Sequence, residues 1–295
     1  MFRVMLLCAG FGTRLLPLTR VCPKPLMPLG DRTVLWQLTR WLRECGIREG
    51  VVNLHHLADN FEAVIGELPV KLKVVLEERI RGTAGGVAGA RPWLGAGTVV
   101  VYNGDILGEP RLDLLAGAVD DEGMCLAVAP ALAGQGSVGL DARRNVVRLR
   151  GERFGEEASA GDYIGVAALG RRVVASLPDE GCLIGDVALP RLRQGRAVST
   201  VAHTSGWTDI GDLESYLRAN LSWLADQRCR GGSWMGPAAR VDTGVRLQQA
   251  VVGSGAYVGG RGVVSRSVVW PGANASAPLD RAIVTAQGHV VRVPI

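Results

Sequence analysis

The sequence predicts an α/β protein: a mainly parallel, mixed sheet flanked by helices, followed by a short C-terminal left-handed β-helix. Apolar runs such as residues 2–8 (FRVMLLC) are typical of buried strands, and stretches with helical spacing lie between them. A six-residue apolar period that starts near residue 240 predicts the second part. Because parallel strands need crossover connections, the alternation favours a Rossmann-like sheet.

The first helix follows directly from the spacing of its apolar residues. Between residues 33 and 45 these residues form a helical stripe, and Gly46 ends it. The same patterns predict, in chain order, a strand at 50–54, a helix at 57–68, strands at 71–77 and 98–102, and a long helix at about 211–228. Short β-rich segments that either extend the sheet or form a lid beside it lie at 124–130, 137–142, 145–149 and 163–169.

The spacing of apolar residues changes near residue 240. Apolar residues then recur at every sixth position, at Val245, Val251, Tyr257, Val263 and Val269. This period matches hexapeptide repeats and about two coils of a left-handed β-helix, with a small glycine-rich β meander as the alternative. We therefore expect an α/β domain at 1–228, a linker at 229–239 and the β-helix at 240–295.

The composition excludes several classes of protein. The net charge of +5 is dispersed, with few aromatic residues, so nucleic-acid binding is not expected, whereas a local site for phosphorylated small molecules fits. No apolar run reaches the roughly 18 residues of a membrane span, and no membrane association is expected. The six cysteines are scattered without a CxxC pair, which predicts reduced thiols in a cytoplasmic protein.

The stretch LLCAGFGTRLLPLTRVCPKPLMPLG, residues 6–30, runs from an apolar strand into a glycine loop. Gly10 and Gly12 fit the start of a dinucleotide-binding loop, but position 15 is leucine, and the GK[ST] of a P-loop is absent. What remains is a loop whose backbone amides can approach a phosphate or a base closely.

Two cations in this stretch are candidate phosphate ligands. Arg14 projects a guanidinium fork suited to phosphate oxygens. Lys24, one of only three lysines, lies between Pro23 and Pro25, which restrict the backbone on both sides. A held ammonium is a compact point charge for a phosphate, and an ordinary surface lysine is the alternative.

Asp105 follows the strand-like residues 98–102 at the carboxyl end of a predicted parallel strand. Open α/β sheets bind their ligands at this edge. A turn-forming Asn-Gly-Asp is the alternative reading of the same residues.

At this point the chain resembles the sugar-1-phosphate nucleotidyltransferases. The residues CAGFGTRLLPLT and PKP are similar to the signature loop of that family, and nine or ten positions match in order. Three further segments agree with it: EERIRGTAGGV at 77–87, VVVYNGDIL at 99–107 and GWTDIGDLESY at 206–216. Together these segments cover residues 2 to about 225.

The resemblance implies a Mg²⁺-dependent reaction in which a sugar 1-phosphate attacks the α-phosphorus of a nucleoside triphosphate in line. Arg14 would then contact the β- and γ-phosphates, and Lys24 the α-phosphate region. Asp105 and Asp209 would hold Mg²⁺, although an isolated Asp at the second position is also compatible with a helix cap, the role expected for Asp212. The implied nucleotide-binding residues are Cys8, Ala9, Gly10, Gly12, Thr13, Glu77, Gly82, Thr83, Asn103 and Gly104.

One family motif is missing. Many relatives carry Glu-Lys-Pro in the middle region, where the lysine meets the sugar phosphate, but residues 148–169 contain no lysine. Arg150 and Arg153 are the candidates to replace it. Asp186 and Gly165 complete the candidate sugar-phosphate set, and a helix N-cap is the alternative role for Asp186.

The substrate prediction follows from this departure. With the motif missing, and with VVNLHHLAD at 51–59 and GTAGG at 82–86, the sequence resembles the mannose- or heptose-1-phosphate guanylyltransferases and the N-acetylmuramate-1-phosphate uridylyltransferases. A uridylyl- or thymidylyltransferase acting on another sugar, or a non-catalytic ligand-sensing relative, is the alternative. Arg14, Lys24, Asp105 and Asp209 are all present, which favours activity. The C-terminal coils are expected to pack on the catalytic domain or to form a homo-oligomer interface.

Overall fold

The computed structural model describes residues 2–227 and 232–294, which divide into two compact units. The first unit comprises Met1–Gly10 and Leu38–Trp207, and the second comprises Phe11–Gln37 and Thr208–Ile295. Residues 229–231 of the predicted linker lie outside the described residues, and the domain boundaries at 228 and 240 stay a prediction. None of the described helices combines the length and the apolar character that crossing a membrane requires.

The strands up to residue 170 include the short apolar runs that the sequence predicts. In chain order they are β1 (Arg3–Leu7), β2 (Pro28–Leu29), β3 (Arg32–Thr33), β4 (Glu49–Leu54), β5 (Lys71–Leu76), β6 (Val99–Asn103), β7 (Ile106–Leu107), β8 (Met124–Ala131), β9 (Val138–Leu140), β10 (Val146–Leu149), β11 (Glu152–Arg153) and β12 (Ser159–Leu169). The later strands are β13 (Ser199–Ala202), β14 (Thr208–Asp209), β15 (Trp234–Met235), β16 (Arg240–Val241), β17 (Val245–Val252), β18 (Tyr257–Val269), β19 (Asn274–Asp280), β20 (Ala282–Val284) and β21 (Val290–Arg292).

Among the described residues the α-helices are fewer than the strands, and four of them have only four to six residues. They are α1 (Val34–Glu44), α2 (Glu62–Ile65), α3 (Gly82–Leu94), α4 (Leu112–Gly117), α5 (Arg171–Ala175), α6 (Leu189–Arg193) and α7 (Leu213–Asp226). Short 3₁₀ turns occupy Thr13–Leu15, Leu18–Arg20, Lys24–Leu26 and Ala58–Phe61, and a π turn occupies Leu183–Ala188.

One mixed sheet organises the first unit. Its order is β11-β10-β9-β12-β6-β1-β4-β5, and β8 pairs with both β12 and β13. The β6, β1, β4 and β5 strands run parallel to one another, whereas β12 is antiparallel to β6, β8 and β9. The helix-flanked mixed sheet of the prediction is confirmed, but it is not mainly parallel, because the β-rich middle segments extend it largely through antiparallel pairs.

Burial explains why the central strands are continuous apolar runs. In β6 the residues Val99, Val100 and Val101 are at most 1% exposed, because both faces of the sheet are covered. Val4 of β1 and Val52 of β4 are buried as completely.

The predicted helix at 57–68 is wrong in extent. Only the four residues of α2 form an α-helix there, after the 3₁₀ turn at Ala58–Phe61. Leu57 adopts a left-handed backbone with φ of 52°, and Gly66 and Pro69 follow α2 closely. Glycine lowers helix propensity and the residue before proline avoids the helical region, so the apolar spacing is not enough to extend the helix.

The second unit contains a sheet of parallel C-terminal strands that repeat along the chain. Val251 of β17 pairs with Val268 of β18, and Tyr257 of β18 pairs with Asn274 of β19, each partner lying 17 positions further on. Gln249 and Arg266, also 17 positions apart, both have positive φ and are both skipped in the pairing of β17 with β18. The last strand, β21, returns antiparallel to β20.

Helix α7 joins these strands to an N-terminal segment within the same unit. The fully buried Tyr216 hydroxyl donates to the Pro28 carbonyl at 2.5 Å and accepts from the Trp270 indole N–H at 3.0 Å. The Gly30 N–H donates to the Asn220 side-chain oxygen at 3.0 Å. Burial raises the pKa of Tyr216, so its phenol stays neutral and both hydrogen bonds persist at ordinary pH.

Candidate active site

In the first unit, the carboxyl ends of two parallel strands bring part of the predicted site together. Leu7 of β1 pairs with Asn103 of β6, and the Gly104 N–H donates to the Leu7 carbonyl at 2.9 Å. A Cβ on Gly104 would lie 2.3 Å from the Cys8 sulfur, so only glycine fits there. The end of β1 and the Asn-Gly-Asp segment therefore meet at one edge of the sheet, where the sequence predicted ligand binding.

A buried hydrogen-bond chain fixes this edge. The Cys8 N–H donates to Asn53 Oδ1 at 2.9 Å, and Asn53 Nδ2 donates to Glu77 Oε1 at 2.7 Å. The Arg81 N–H donates to Glu77 Oε2 at 3.2 Å. Both oxygens of the buried Glu77 carboxylate are thus hydrogen-bonded, as a buried acid requires. Sequence reasoning missed Asn53, whose signal is a lone amide at the end of the apolar run GVVNL.

The Asp105 carboxylate is close enough to Cys8 to affect the pKa of its thiol. Burial raises the pKa of the Cys8 thiol well above its usual range, and the nearby Asp105 carboxylate raises it further. Cys8 therefore stays a neutral thiol, and what it offers a ligand is its backbone and its size rather than a thiolate.

Helix α3 starts at a glycine that touches another loop. Gly82 has φ of +75°, and a Cβ there would lie 2.4 Å from the Gly181 carbonyl oxygen. That carbonyl accepts from the Ala84 N–H, and the Gly181 N–H donates to the Arg81 carbonyl, both at 2.8 Å. The Leu183 N–H donates to the Thr83 hydroxyl at 2.7 Å. The GTAGG segment is thus fastened to residues 181–183 through backbone contact.

Replacing Gly82 by alanine is expected to lower the free energy of unfolding by roughly 1–3 kcal/mol more than replacing Gly95 by alanine does. Both glycines have positive φ, at +75° and +72°, so an alanine strains the backbone at either position. Only at Gly82 does a Cβ meet another atom, whereas the space around Gly95 is open. Urea unfolding of the two variants measures the difference, and equal midpoints would contradict the close contact with Gly181.

In the second unit, the glycine loop folds back on itself. Gly12 has φ of +64°, and the Thr19 hydroxyl donates to its carbonyl at 3.0 Å. A Cβ on Gly12 would lie 2.8 Å from the Thr19 methyl group, so glycine is required by both conformation and space. Thr13 begins the 3₁₀ turn that carries Arg14, and Lys24 begins a later turn right after Pro23.

The structure brings Arg14, Lys24 and Asp209 together within this unit. Lys24 Nζ lies 3.7 Å from Asp209 Oδ1, and Arg14 Nη2 lies 3.9 Å from Asp209 Oδ2. The Lys24 side chain is only 11% exposed, whereas that of Arg14 is 68% exposed. Two cations thus flank one carboxylate, an arrangement that can hold a polyphosphate and a metal ion in one place.

The start of α7 supports Arg14. A Cβ on Gly211 would lie 3.0 Å from the Arg14 guanidinium, so the arginine lies against bare backbone. Asp212 caps the helix, because its carboxylate accepts from the Ser215 N–H at 2.8 Å, which confirms its predicted role. That hydrogen bond and the Ser215 hydroxyl lower the pKa of Asp212, and the charge of Arg14 contributes.

The predicted sugar-phosphate residues lie in the first unit. Arg150 sits in the turn between β10 and β11 and donates to the Cys182 sulfur at 3.3 Å, while Asp186 accepts from the Cys182 N–H at 2.7 Å. Asp186 lies inside the π turn rather than at the cap of a helix. Gly165 is packed against the Asn103 amide, and Arg153 lies opposite Arg148 in the β10–β11 pair.

No group of three or more His, Cys, Asp or Glu side chains within residues 2–227 and 232–294 is arranged to hold a metal ion. Mg²⁺ needs only one or two protein carboxylates, because it keeps water and shares phosphate oxygens. The half-exposed carboxylate of Asp209 and that of Asp105 offer the hard oxygen atoms that such an ion takes.

Comparison with known proteins defines the class. Residues 3–226 match the model of the family described as Nucleotidyl transferase. A mannose-1-phosphate guanylyltransferase of Mycobacterium tuberculosis is 27% identical over 95% of this chain and 79% of its own. An N-acetylmuramate alpha-1-phosphate uridylyltransferase of Caulobacter vibrioides is 31% identical over 73% of this chain and 94% of its own.

The fold has a counterpart among crystal structures. HddC from Yersinia pseudotuberculosis, complexed with GMP-PN, superposes with a TM-score of 0.64 at 22% identity, covering 76% of this chain and 100% of that one. At this identity the likeness supports the fold alone. With the family match, it follows that the chain belongs to the nucleotidyltransferases. Within them it is a member of the sugar-1-phosphate nucleotidyltransferase family, as its signature loop indicated.

Proposed function

We propose that this protein transfers a nucleoside monophosphate from a nucleoside triphosphate to a sugar 1-phosphate, releasing pyrophosphate. The observation that carries the proposal is the approach of Arg14 and Lys24, both from the signature loop, to Asp209. Phosphoryl-type transfers need little covalent help from the protein, because positioning and charge neutralisation lower the barrier. Two cations of different exposure beside one carboxylate supply both.

The two cations take different parts of the reaction. The exposed Arg14 binds the β- and γ-phosphates, which leave as pyrophosphate, and its planar fork suits two oxygens at once. The nearly buried Lys24 lies closer to the α-phosphate, where negative charge develops during the transfer. Because the Lys24 side chain is only 11% exposed, the position suits a compact ammonium better than a broad guanidinium.

Backbone groups complete nucleotide binding. We assign this role to the glycine loop (Cys8, Ala9, Gly10, Gly12, Thr13), to the start of α3 with its supporting acid (Glu77, Gly82, Thr83) and to the end of β6 (Asn103, Gly104). A Cβ on Gly10 would stand in open space, so a ligand can approach its backbone directly.

We assign Mg²⁺ to the carboxylates of Asp105 and Asp209. When bound, the ion neutralises charge on the phosphate oxygens. The protein's part is to present carboxylate oxygen atoms, those of Asp209 beside Arg14 and Lys24, which suits a metal that arrives with the nucleotide.

The proposed substrates are more specific than the family assignment. We propose activity on mannose or heptose 1-phosphate with a guanine nucleotide, or on N-acetylmuramate 1-phosphate with a uridine nucleotide. The relatives from M. tuberculosis and C. vibrioides carry names of these two kinds. The missing Glu-Lys-Pro motif supports this branch over the glucose-1-phosphate thymidylyltransferases.

Pyrophosphate release from the purified protein tests the proposal. The assay uses Mg²⁺ with ATP, GTP, CTP, UTP or dTTP, each paired with mannose, heptose, glucose, N-acetylglucosamine or N-acetylmuramate 1-phosphate. Release that needs one nucleotide–sugar pair and stops on addition of EDTA is expected. Nucleotide binding without release from any pair would instead support a ligand-sensing relative.

For the C-terminal strands we propose two coils of a left-handed β-helix. The 17-residue register of β17, β18 and β19, and the matched positive φ of Gln249 and Arg266, support a repeating coil. We further propose that its outer face joins subunits of a homo-oligomer. The free thiols of Cys8, Cys22, Cys45, Cys125 and Cys182 agree with a cytoplasmic location.

A further inference from the structure

A cavity of about 460 Å³ lies in the first unit, beside the turn that joins β10 to β11. Its walls come from the 136–138 segment, from residues 148–151 and from Tyr163, Cys182 and Ile184. Its volume lies within the range of about 300–1,000 Å³ that small-molecule sites occupy. The side chains that give it chemistry are Arg148, Arg150, Ser137, Tyr163 and Cys182.

Of the two arginines in this cavity, one is paired with a carboxylate of the described residues and the other is not. Arg148 pairs with Glu157 at 2.8 Å, and the two side chains are only 14% and 6% exposed. That contact lowers the pKa of Glu157 to about 2, so the pair stays ionised and neutral overall. Arg150 donates to the Cys182 sulfur, and no carboxylate of the described residues lies within ion-pair distance of it. The cavity thus carries one positive charge that no protein acid balances.

Arg150 also occupies a position that its side chain does not favour. Leu149 pairs with Glu152, so Arg150 and Gly151 form a two-residue hairpin turn, with φ of 49° and 84°. Such turns prefer Asn-Gly, because asparagine tolerates the left-handed backbone better than a long side chain does. An arginine there costs stability that a function must offset.

The loop opposite is shaped around this guanidinium. A Cβ on Gly185 would lie 2.6 Å from Arg150 Nη1, so any larger residue would displace the side chain. The Gly185 N–H and Arg150 both donate to the Cys182 sulfur, at 3.5 and 3.3 Å. The carboxylate of Asp186, one residue further along the chain, accepts a hydrogen bond from the Cys182 N–H. Arg150 is therefore held in place against the π turn.

We infer that Arg150 binds an anionic group of the acceptor sugar in this cavity. The inference rests on the proposed function. Two sources of the anion fit this chemistry, the 1-phosphate itself and a carboxylate carried as a ring substituent. Ser137 and Tyr163 also line the cavity, and their hydroxyl groups suit the hydroxyls of a sugar. Burial raises the pKa of Tyr163, so its phenol stays protonated and neutral.

The experiment compares Arg150→Asn and Arg150→Lys with a matched control, Arg144→Asn. Arg144 also has positive φ, at 65°, in the preceding hairpin, but it does not line the cavity. Pyrophosphate release is measured at saturating nucleotide while the sugar 1-phosphate is varied. N-acetylglucosamine and N-acetylmuramate 1-phosphates form a matched pair, because the second adds only a lactyl ether with its carboxylate.

In Arg150→Asn the KM for the sugar 1-phosphate is expected to rise roughly 10- to 100-fold, with partial rescue in Arg150→Lys and no change in Arg144→Asn. The melting temperature is expected to stay the same or to rise, because asparagine suits the turn. A loss confined to N-acetylmuramate 1-phosphate identifies the carboxylate as the anion, and an equal loss on both sugars identifies the phosphate.

An unchanged KM on both sugars, in a wild-type protein that releases pyrophosphate, overturns the inference and leaves the proposed function standing. If the wild-type protein releases none from any pair, the proposed function fails instead. Calorimetric titration of N-acetylmuramate 1-phosphate into the wild type and Arg150→Asn then decides the inference, and equal heats would overturn it.

Discussion

Replacing Lys24 by methionine is expected to lower kcat for pyrophosphate release by roughly 10²- to 10³-fold, the loss typical of removing one preorganised donor from a developing negative charge. Methionine has nearly the length of lysine and fits a side chain that is only 11% exposed, so the fold is retained. What disappears is the ammonium 3.7 Å from Asp209. Lys24→Arg is expected to recover little of this activity, because a broad guanidinium is a poor substitute for the compact ammonium at a nearly buried position.

The control for this prediction is Lys71→Met, which removes an exposed lysine from the edge strand β5. That variant is expected to keep wild-type kcat and KM. Melting temperatures and nucleotide binding of both variants separate a catalytic loss from an unfolded protein. A kcat for Lys24→Met within threefold of the wild type would contradict the catalytic role assigned to Lys24.

Asn53→Asp is expected to destabilise the protein at pH 7 by about 3–5 kcal/mol, the range found when a buried charge loses its compensation. The substitution replaces the amide that donates to Glu77 Oε1 at 2.7 Å by a second carboxylate. Two buried carboxylates at this distance cannot both ionise, so the folded state must take up a proton. For a chain of this size the loss corresponds to a fall of roughly 10 °C in melting temperature.

The pH dependence has a definite sign. In the folded variant the pKa of the carboxyl pair is raised above the value of about 4 in the unfolded chain, so the folded state binds the extra proton. The difference in unfolding free energy between variant and wild type should therefore shrink as pH falls from 7 towards 4. Asn274→Asp, at an exposed position of β19, serves as the control. Equal, pH-independent losses in both variants would contradict the buried chain.

The sequence predicted those parts of the structure that local patterns encode. The continuous apolar runs identified β1, β4 and β6, because strands covered on both faces have no polar alternation. Arg14 and Lys24 were found from residue types suited to phosphate, and Asp209 from the resemblance of residues 206–216 to the family. The second unit does bring these three charged groups together.

Features that depend on distant partners were not predicted. Asn53 looks like any strand-end amide until its contacts with Cys8 and Glu77, 45 and 24 residues away, are seen. Gly82 requires Gly181 as its neighbour, and no local pattern links the two. Likewise, nothing in residues 11–37 indicates that this segment belongs to the same compact unit as the C-terminal strands.

The hydrogen bonds from Trp270 through Tyr216 to Pro28 have a consequence for evolution and engineering. They tie the repeat segment to the stretch of chain that follows Lys24, so the repeats are not an independent cassette. In a chimaera whose incoming repeats lack the indole at position 270, the buried Tyr216 phenol loses a donor. Exchange of this segment between relatives therefore has to transfer Trp270, Tyr216 and the β2 strand that begins at Pro28 as one inseparable block.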